Sequence, residues 1–501
     1  MIIRKTVFVP MLLLLASACG ESSSSSGEVG GASSSIGGSS GTTTSSSAVG
    51  GTTSATGGQS SAATGGTTNP AGGTSAVGGS TGFTTGPLVN GTVTVNGATP
   101  KPVSSLFFGQ NYWSWVPSWG DPVAKVETKT KELKLRLLRA GGANNDKQSP
   151  IAFSLSEIDD FVAFAKNVGA EPLLQIPLIK NISGTEATAS DAADLVTYVN
   201  ITKKYGIKYF SIGNEPDLYT EQSLRATTYD AVAYCTEFKS FATAMKAVDP
   251  SIKILGPELS WKYQSGANDW LTPFLNNCGD VTDAVAVHRY PLGPTACTEG
   301  AAFADVEKYK QLLTRLRAIM TATGQADKPL MVTEANVTWD GDPTKSTMAA
   351  SPGTFPAALW VADNIGASLE AEVDNVSYWS LSEGWTLGFF DGTNARPAFH
   401  VLRLFSNHFG TEVLSVTGSP TGVSIFAGRD AAAQKSTLFI VNKTTSPLAL
   451  DVQFAGLPRT ANVSLEVAPR TLLVAGVADD GSAPTRTTFT QGDTAPSDVI
   501  Q

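Results

Sequence analysis

The chain has 501 residues, a formal net charge of −9 and 41% apolar residues. This length allows two or three domains, and an acidic chain without a basic stripe lacks the usual nucleic-acid-binding surface. With three histidines and no HExxH or CxxC motif, we expect no catalytic metal and no other cofactor.

The first 19 residues have the parts of an export signal: Arg4 and Lys5, an apolar run and then small residues. The apolar run is too short to span a bilayer comfortably. The ending LASAC resembles a bacterial lipoprotein cleavage site. This resemblance implies that residues 1–19 are a lipoprotein signal peptide and that a lipid on Cys19 anchors the protein in the cell envelope, at the outer membrane or cell surface. The alternative is an ordinary signal cleaved near Ala18, which would give a secreted protein.

Two segments have compositions that do not support a core. Residues 20–86 are almost entirely Ser, Gly, Thr and Ala, which predicts a flexible linker. Residues 479–501 are rich in Thr, Asp and Pro, and we expect a disordered tail there.

Eight short apolar runs follow one another between these segments, several of them nearly continuous in Val, Ile, Leu and Phe, as in buried parallel strands. Amphipathic segments such as 154–169 and 303–324 lie between them and end in glycine. This alternation predicts an α/β fold, a (β/α)₈ TIM barrel over 99–405. An open doubly wound sheet is the alternative, but no glycine-rich phosphate loop follows the first run. The runs are 105–113, 133–142, 171–179, 207–216, 252–260, 283–291, 329–337 and 375–384.

Beyond about residue 411 the pattern changes to short strands separated by turn residues. It predicts an all-β sandwich accessory domain formed by 406–478 together with 87–98, whose strand GTVTVNG precedes the barrel.

Two glutamates end strands of the predicted barrel, where active sites of this fold lie. Glu215 follows the fourth strand in SIGNEP, and Glu334 ends the seventh in VTEAN. A carboxyl group at the end of a buried strand is costly unless it is solvated, paired or used. Two facing carboxyl groups are what glycoside hydrolysis needs: one protonates the leaving oxygen and the other acts at the sugar carbon.

These motifs resemble those of clan A of the glycoside hydrolases, whose members are retaining enzymes with an Asn-Glu pair after the fourth strand and a Glu after the seventh. The resemblance covers about 91–477 and implies a retaining β-glycoside hydrolase with Glu215 as acid/base and Glu334 as nucleophile. It also implies substrate-binding or supporting roles for five further residues: Asn214 at the 2-hydroxyl, Arg139 and Tyr290 near the nucleophile, His288 on the sixth strand and Trp379 under the reacting sugar.

Other polar residues stand at the same predicted end of the barrel. Gln110, Asn144, Asn145, Glu258 and Glu383 are candidates for binding sugar hydroxyls. If the substrate is a uronide, Lys180, Lys262 and Arg289 are the cations that follow strand ends and could pair with its carboxylate.

Three functions remain open at this point. The first is an extracellular hydrolase of poly- or oligosaccharide; the second is a carbohydrate-binding lipoprotein on a barrel that no longer catalyses; the third is a structural surface protein. Both glutamates favour the first, and we expect a monomer with a carbohydrate partner. Cys278 and Cys297 are the candidates for a disulfide, which would leave Cys235 as a buried thiol, although the residues leave open whether they pair.

Overall fold

A closed barrel of eight parallel strands forms the centre of the fold and confirms the predicted fold class. The computed structural model describes residues 86–112, 123–148, 153–263, 266–342, 344, 348–382 and 385–497. The predicted signal peptide with Cys19, the predicted linker up to residue 85 and Glu383 lie outside the described residues.

Strand β1 (Val89–Pro102) belongs to a second sheet, and the barrel begins with the next strand. All eight predicted runs contain a barrel strand. The barrel strands are β2 (Phe108–Tyr112), β3 (Leu137–Ala140), β4 (Glu171–Ile176), β5 (Tyr209–Ile212), β6 (Lys253–Leu259), β7 (Ala284–Arg289), β8 (Leu330–Ala335) and β9 (Asn375–Tyr378). The last barrel strand, β9, pairs with the first barrel strand, β2, and so closes the ring.

Helices pack around the outside of the barrel, and local sequence sets where several of them begin and end. Ser154 and Glu157 form a reciprocal capping box at the start of α3, and Gly169 ends it in the left-handed conformation. The helices are α1 (Glu127–Thr130), α2 (Ala143–Lys147), α3 (Leu155–Val168), α4 (Ala189–Val196), α5 (Ala231–Val248), α6 (Leu271–Cys278), α7 (Glu299–Ala322), α8 (Phe355–Glu370) and α9 (Pro397–His408).

The interior of the barrel changes from apolar to polar along the strands. Its lower part is filled by a separate apolar cluster: Leu137, Leu173, Leu255, Ala284, Ala286 and Met331. Two residues further along their strands, Arg139 and His288 are fully buried instead. Since side chains alternate between the two faces of a strand, these polar groups lie above the apolar layer, towards the carboxyl ends.

The second sheet is sandwich-like and encloses its own core, which includes Val93, Leu450 and Val477. After the short pair β10 (Phe390–Asp391) and β11 (Asn394–Ala395), its strands are β12 (Glu412–Thr417), β13 (Val423–Asp430), β14 (Lys435–Asn442), β15 (Leu448–Ala455), β16 (Val463–Val467), β17 (Thr471–Ala478) and β18 (Thr485–Thr490). The order is β16-β15-β1-β12-β13-β14-β17-β18. As expected, the strand that precedes the barrel pairs here, antiparallel to β12 and parallel to β15.

The predicted disordered tail over 479–501 is wrong for residues 485–490. These residues form β18, which pairs antiparallel with β17. Phe489 is fully buried, and its ring lies edge-on to that of Phe355 at 4.9 Å between centroids. The pairing with β17 and the buried side chain of Phe489 hold this polar strand in place, which composition alone does not reveal.

The barrel and the second sheet belong to one compact unit and are joined by two ion pairs, one of which is buried. Lys443 Nζ lies 2.5 Å from Asp363 Oδ2, and both side chains are almost fully buried. Arg470 pairs with Glu299 at 2.7 Å. These contacts fix the sheet against α8 and α7, on the outside of the barrel.

The disulfide joins Cys235 to Cys278, and Cys297 is a buried free thiol. The candidate pairing of Cys278 with Cys297, which the sequence left open, is therefore wrong. Cys297 is closer to Cys278 in sequence, but it lies in the loop after β7, where its thiol donates to the carbonyl of Gly293. Cys235 on α5 and Cys278 at the end of α6 face each other because these helices are neighbours around the barrel.

None of the helices in the described ranges combines the length and the hydropathy that crossing a bilayer requires.

Candidate active site

Glu215 lies just beyond β5, at the carboxyl end of the barrel. Gly213 and Glu215 have positive φ angles of 74° and 52°, so the chain turns sharply where the strand ends. The Glu215 N–H donates to the carbonyl of Glu258 at 3.0 Å, and a short 3-10 helix follows over Pro216–Leu218. Gly213 and Pro216 thus end the strand and turn the chain, and the carboxyl group between them is 14% exposed.

Two buried aspartates hold this turn. Asp146 accepts the hydroxyl of Tyr219 at 2.5 Å, and that hydroxyl accepts the N–H of Asn214 at 3.2 Å. Burial raises the pKa of Asp146 to about 6. Asp217 accepts the backbone N–H groups of residues 260–262, which ties the loop after β5 to the loop after β6. The position of Glu215 is therefore set by buried polar contacts rather than by a free loop.

Glu334, near the end of β8, has a separate donor for each carboxylate oxygen. Arg139 Nη1 donates to Oε1 at 2.8 Å, and the Tyr290 hydroxyl donates to Oε2 at 2.7 Å. The side chain is 6% exposed. Burial, followed by the charge of Glu334, raises the pKa of Tyr290 well above its usual value, so the hydroxyl keeps its proton. Two donors orient the carboxylate and stabilise it as an anion.

Arg139, at the end of β3, is fully buried and connects four side chains. Nη1 donates to Glu334 and to Asn111 Oδ1 at 2.9 Å, while Nη2 donates to Asn214 Oδ1 at 2.9 Å and to Glu258 Oε2 at 2.5 Å. Burial opposes the charged form, but the charges of the two glutamates outweigh it and raise the pKa of Arg139. The planar guanidinium thus sets the distance between Glu258 and Glu334.

His288, on β7, lies among all three carboxyl groups. Its Nδ1 is 3.0 Å from Glu215 Oε1 and 3.7 Å from Glu334 Oε2, and its Nε2 is 3.7 Å from Glu258 Oε2. Burial would lower the pKa of His288, but the charge of Glu334 and the contacts with the other two glutamates raise it to about 10. Its imidazole is therefore a cation at neutral pH.

Glu258 follows Pro257 on β6 and is the most deeply buried of the three carboxyl groups. Burial alone would raise its pKa, but the charge of Arg139, with the contacts from His288, lowers it to about 2. Glu258 is therefore an anion throughout the physiological range. The sequence marked it only as a candidate hydroxyl binder, whereas the structure places it behind Arg139, away from solvent.

One oxygen of Glu215, one of Glu334 and a nitrogen of His288 all lie within 4.8 Å of one another. A cluster of this size would also accommodate a metal ion. However, Arg139 and Tyr290 already donate to both carboxylate oxygens of Glu334. The donor set thus suits two working carboxyl groups better than a metal ion.

The structure brings together most of the residues that the sequence predicted, with one shift of register. Gln110 is fully buried, and none of the described hydrogen bonds joins it to these groups; its neighbour Asn111 bonds Arg139 instead. Successive residues of a strand point to opposite faces, so a one-residue error moves a side chain out of the site. The described contacts therefore join Asn111, which sequence analysis missed, to the site and do not join Gln110 to it.

The aromatic and amide candidates take different positions. Trp379, directly after β9, is nearly buried, and its ring packs so closely on Gly142 that a Cβ there would lie 2.6 Å from the indole. Asn144 is half-buried on α2. Asn145 is buried and donates to the carbonyl of Gln175 at 3.3 Å. Trp379 thus packs against the loop after β3 at the carboxyl end of the barrel, and Asn145 supports the same loop.

Two of the three cations proposed for a uronate are already paired. Arg289 donates to Asp305 at 2.6 Å, and Lys262 lies 2.7 Å from Glu221. Lys180 is exposed. Lys147, which the sequence did not single out, is half-buried, and its pKa is lowered by burial despite the opposing charges of Asp146 and Glu215.

Comparisons with known proteins show similarity over part of the sequence and over the fold. Residues 167–355 match the family model of the glycosyl hydrolase catalytic core. An intracellular exo-alpha-(1→5)-L-arabinofuranosidase of Streptomyces lividans is 27% identical over 190 residues, which is 34% of this chain. The match spans only 25% of that relative's length.

Solved structures share the whole architecture at low identity. An α-L-arabinofuranosidase from Thermotoga maritima has a TM-score of 0.61 at 16% identity and covers 80% of this chain and 98% of its own. A family 44 xyloglucanase from Paenibacillus polymyxa has a TM-score of 0.59 at 14% identity, with 82% and 97% covered. The family match over residues 167–355 and the shared fold support the predicted resemblance to glycoside hydrolases.

Proposed function

We propose that this protein is a retaining glycoside hydrolase in which Glu334 is the nucleophile and Glu215 the acid/base. The observation that carries the proposal is the approach of these two carboxyl groups, with one oxygen of each within 4.8 Å. Retaining enzymes hold their carboxyl groups about 5–5.5 Å apart, whereas inverting enzymes leave about 6.5–9.5 Å for a water molecule. The closer spacing supports direct attack by Glu334.

In the first step, an oxygen of Glu334 forms a bond to the anomeric carbon as the bond to the leaving oxygen breaks. Glu215 transfers its proton to that leaving oxygen. Arg139 and Tyr290 orient the attacking carboxylate through one oxygen each. His288 contacts Oε1 of Glu215, which leaves Oε2 to carry the transferred proton.

In the second step, Glu215 acts as a base. It takes a proton from water while the water oxygen bonds to the anomeric carbon and the ester bond to Glu334 breaks. Two displacements at one carbon restore the original configuration. Asn214 is the proposed contact for the 2-hydroxyl of the sugar, since Arg139 holds its side chain beside both glutamates.

The substrate class has two candidates. The clan resemblance favours β-glycosides, as the sequence predicted. The names of the Streptomyces lividans relative and the Thermotoga maritima structure favour α-L-arabinofuranosides. A barrel that only binds sugar is less well supported, because the acid/base, the nucleophile and its donors are all present.

We also propose that the protein is exported and anchored through Cys19. The disulfide between Cys235 and Cys278 supports an oxidising compartment. Cys19→Ser should move the protein from the membrane fraction to the soluble fraction of the producing cells. Equal partition of the two proteins would refute the anchor.

The catalytic proposal is tested with nitrophenyl glycosides: the α-L-arabinofuranoside and the β-glucoside, xyloside, galactoside, fucoside and glucuronide, with polysaccharides alongside. For the substrate that is cleaved, Glu215→Gln and Glu334→Gln should each lose about 10³-fold or more in kcat, or about 4 kcal/mol in the barrier. Glu221→Gln is the matched control, since Glu221 is an exposed carboxylate paired with Lys262, and it should retain full activity.

The identity of the nucleophile has its own test. With Glu334→Ala, azide should restore turnover and give a glycosyl azide of inverted configuration, because it replaces Glu334 in a single displacement. NMR of the wild-type product should show retained configuration. An inverted wild-type product, or full activity in Glu334→Gln, would refute the assignment.

A further inference from the structure

The active site contains a third carboxylate that the two-step mechanism does not use. Glu258 does not lie between the catalytic pair, and its side chain has no exposed surface. Its backbone has a φ angle of 54°, in the left-handed region that non-glycine residues seldom adopt. Placing a carboxylate there is costly unless its surroundings favour it.

Both cations of the site contact this carboxylate. Arg139 donates to Glu258 through Nη2 and to Glu334 through Nη1, so one guanidinium ties the two carboxylates together. His288 lies with Nε2 towards Glu258 and Nδ1 towards Glu215. Glu258 is thus linked to the nucleophile through Arg139 and to the acid/base through His288.

A count of charges shows what Glu258 contributes. Arg139 and protonated His288 supply two positive charges, and Glu258 and ionised Glu334 supply two negative charges. The four charges cancel, so together these groups add no net charge beside Glu215. Without the charge of Glu258, the remaining three groups would sum to +1, and a net positive charge makes a neighbouring carboxylic acid a poorer store for a proton.

We propose that Glu258 is a positioning residue whose permanent negative charge holds Arg139 and the imidazolium of His288 in place and thereby keeps Glu215 able to donate a proton. This proposal rests on the proposed function and deepens it. Once Glu334 has formed its ester, its charge is lost and the same four groups sum to +1. A net positive charge stabilises the carboxylate form of a neighbouring acid, which is the form that a base needs in the second step.

Other charged or titratable groups also act on these carboxyl groups. Glu215 interacts with Lys147 and Asp217, and Glu258 interacts with Tyr234. Among the described residues with such interactions, only Arg139 and His288 hydrogen-bond or pair with a catalytic glutamate and with Glu258. The side chain of Glu258 should therefore act on Glu215 through these two cations, since the direct bond between the two residues, from the Glu215 N–H to the Glu258 carbonyl, belongs to the backbone.

The test is Glu258→Gln, which keeps the shape and removes the charge. The alkaline limb of the kcat/KM profile should move to lower pH by about one unit or more. For a methyl glycoside, whose leaving group needs a proton, kcat/KM at neutral pH should fall at least tenfold. For a dinitrophenyl glycoside the fall should be much smaller, because dinitrophenolate leaves without needing a proton.

A purely structural role would give a different pattern. Asp363→Asn, which removes another buried carboxylate charge far from the site, should lower the Tm and leave both the pH profile and the leaving-group dependence unchanged. Glu258→Asp, which restores the charge, should return the alkaline limb to its wild-type position even if kcat is reduced. It also serves as the test if Glu258→Gln does not fold, since a displaced alkaline limb in folded Glu258→Asp would overturn the proposal.

The outcomes separate this proposal from the proposed function. If Glu215→Gln and Glu334→Gln are inactive but Glu258→Gln keeps the wild-type profile, only the role of Glu258 is refuted. Equal losses for good and poor leaving groups in Glu258→Gln would refute it as well. If the two catalytic variants remain active, the proposed function itself fails.

Discussion

Breaking the disulfide between Cys235 and Cys278 should destabilise the barrel by a predictable amount. The two residues are 43 apart in sequence, with Cα atoms separated by 5.8 Å. A crosslink that closes a loop of this length lowers the entropy of the unfolded chain by about 13 cal/mol/K. At 25 °C this corresponds to about 4 kcal/mol of stability in the chain-entropy model.

The assay is urea unfolding of the full chain, with wild type compared to the double variant Cys235→Ser, Cys278→Ser. The double variant should unfold at a lower urea concentration, with a free energy of unfolding reduced by about 4 kcal/mol. Cys297→Ser is the matched control, because it alters a buried cysteine without opening a loop, and the new hydroxyl can still donate to the carbonyl of Gly293. The free energy of unfolding of this control variant should fall by far less than 4 kcal/mol.

Peptide mapping without reductant gives an independent check. A linked peptide that contains Cys235 and Cys278 is expected, with Cys297 open to alkylation once the chain is unfolded. A peptide that links Cys278 to Cys297 would refute the pairing. Equal urea midpoints for wild type and the double variant would refute the calculated magnitude.

Three further predictions concern the site and the contact between helix α8 and the second sheet. Tyr290→Phe removes the hydroxyl that donates to Glu334. It should lower kcat by about 10- to 100-fold with little change in Tm, since a hydrogen bond to a charged group contributes about 1.5–3 kcal/mol. An unchanged kcat would contradict the role of that hydroxyl. The pKa of His288 is raised from 6.5 to about 10, so its charge stabilises the fold fully below about pH 6.5, and this contribution is lost as the pH rises through 10. The difference in Tm between wild type and His288→Gln should follow that course, and a difference independent of pH would show that the charge is not involved. Asp363→Ala leaves Lys443 buried without its carboxylate partner and should lower the free energy of unfolding in urea by about 3–5 kcal/mol. Replacing Asp363 by Leu and Lys443 by Met together should lower it much less. Similar losses of stability in the two variants would contradict this account of the pair.

The sequence by itself determined the fold class and the two catalytic candidates. Each buried parallel strand needs a continuous apolar run, and eight such runs with helices between them favour one closed arrangement. Glu215 and Glu334 could be found because the fold places its active site at strand ends, and strand ends are visible in the sequence as the points where apolar runs stop. Arg139, His288 and Tyr290 were found for the same reason, with the clan resemblance indicating which roles to expect.

Only the tertiary structure decided what depends on which elements meet in space. Asn111 rather than Gln110 reaches Arg139 because the face of a strand changes with every residue. Cys235 pairs with Cys278 because α5 and α6 are neighbours around the barrel, a fact that spacing along the chain does not contain. Glu258 is a buried anion because Arg139 and His288, from two other strands, surround it. Pairing, register and charge balance arise from contacts between distant segments, and a pattern read along a single chain carries no information about them.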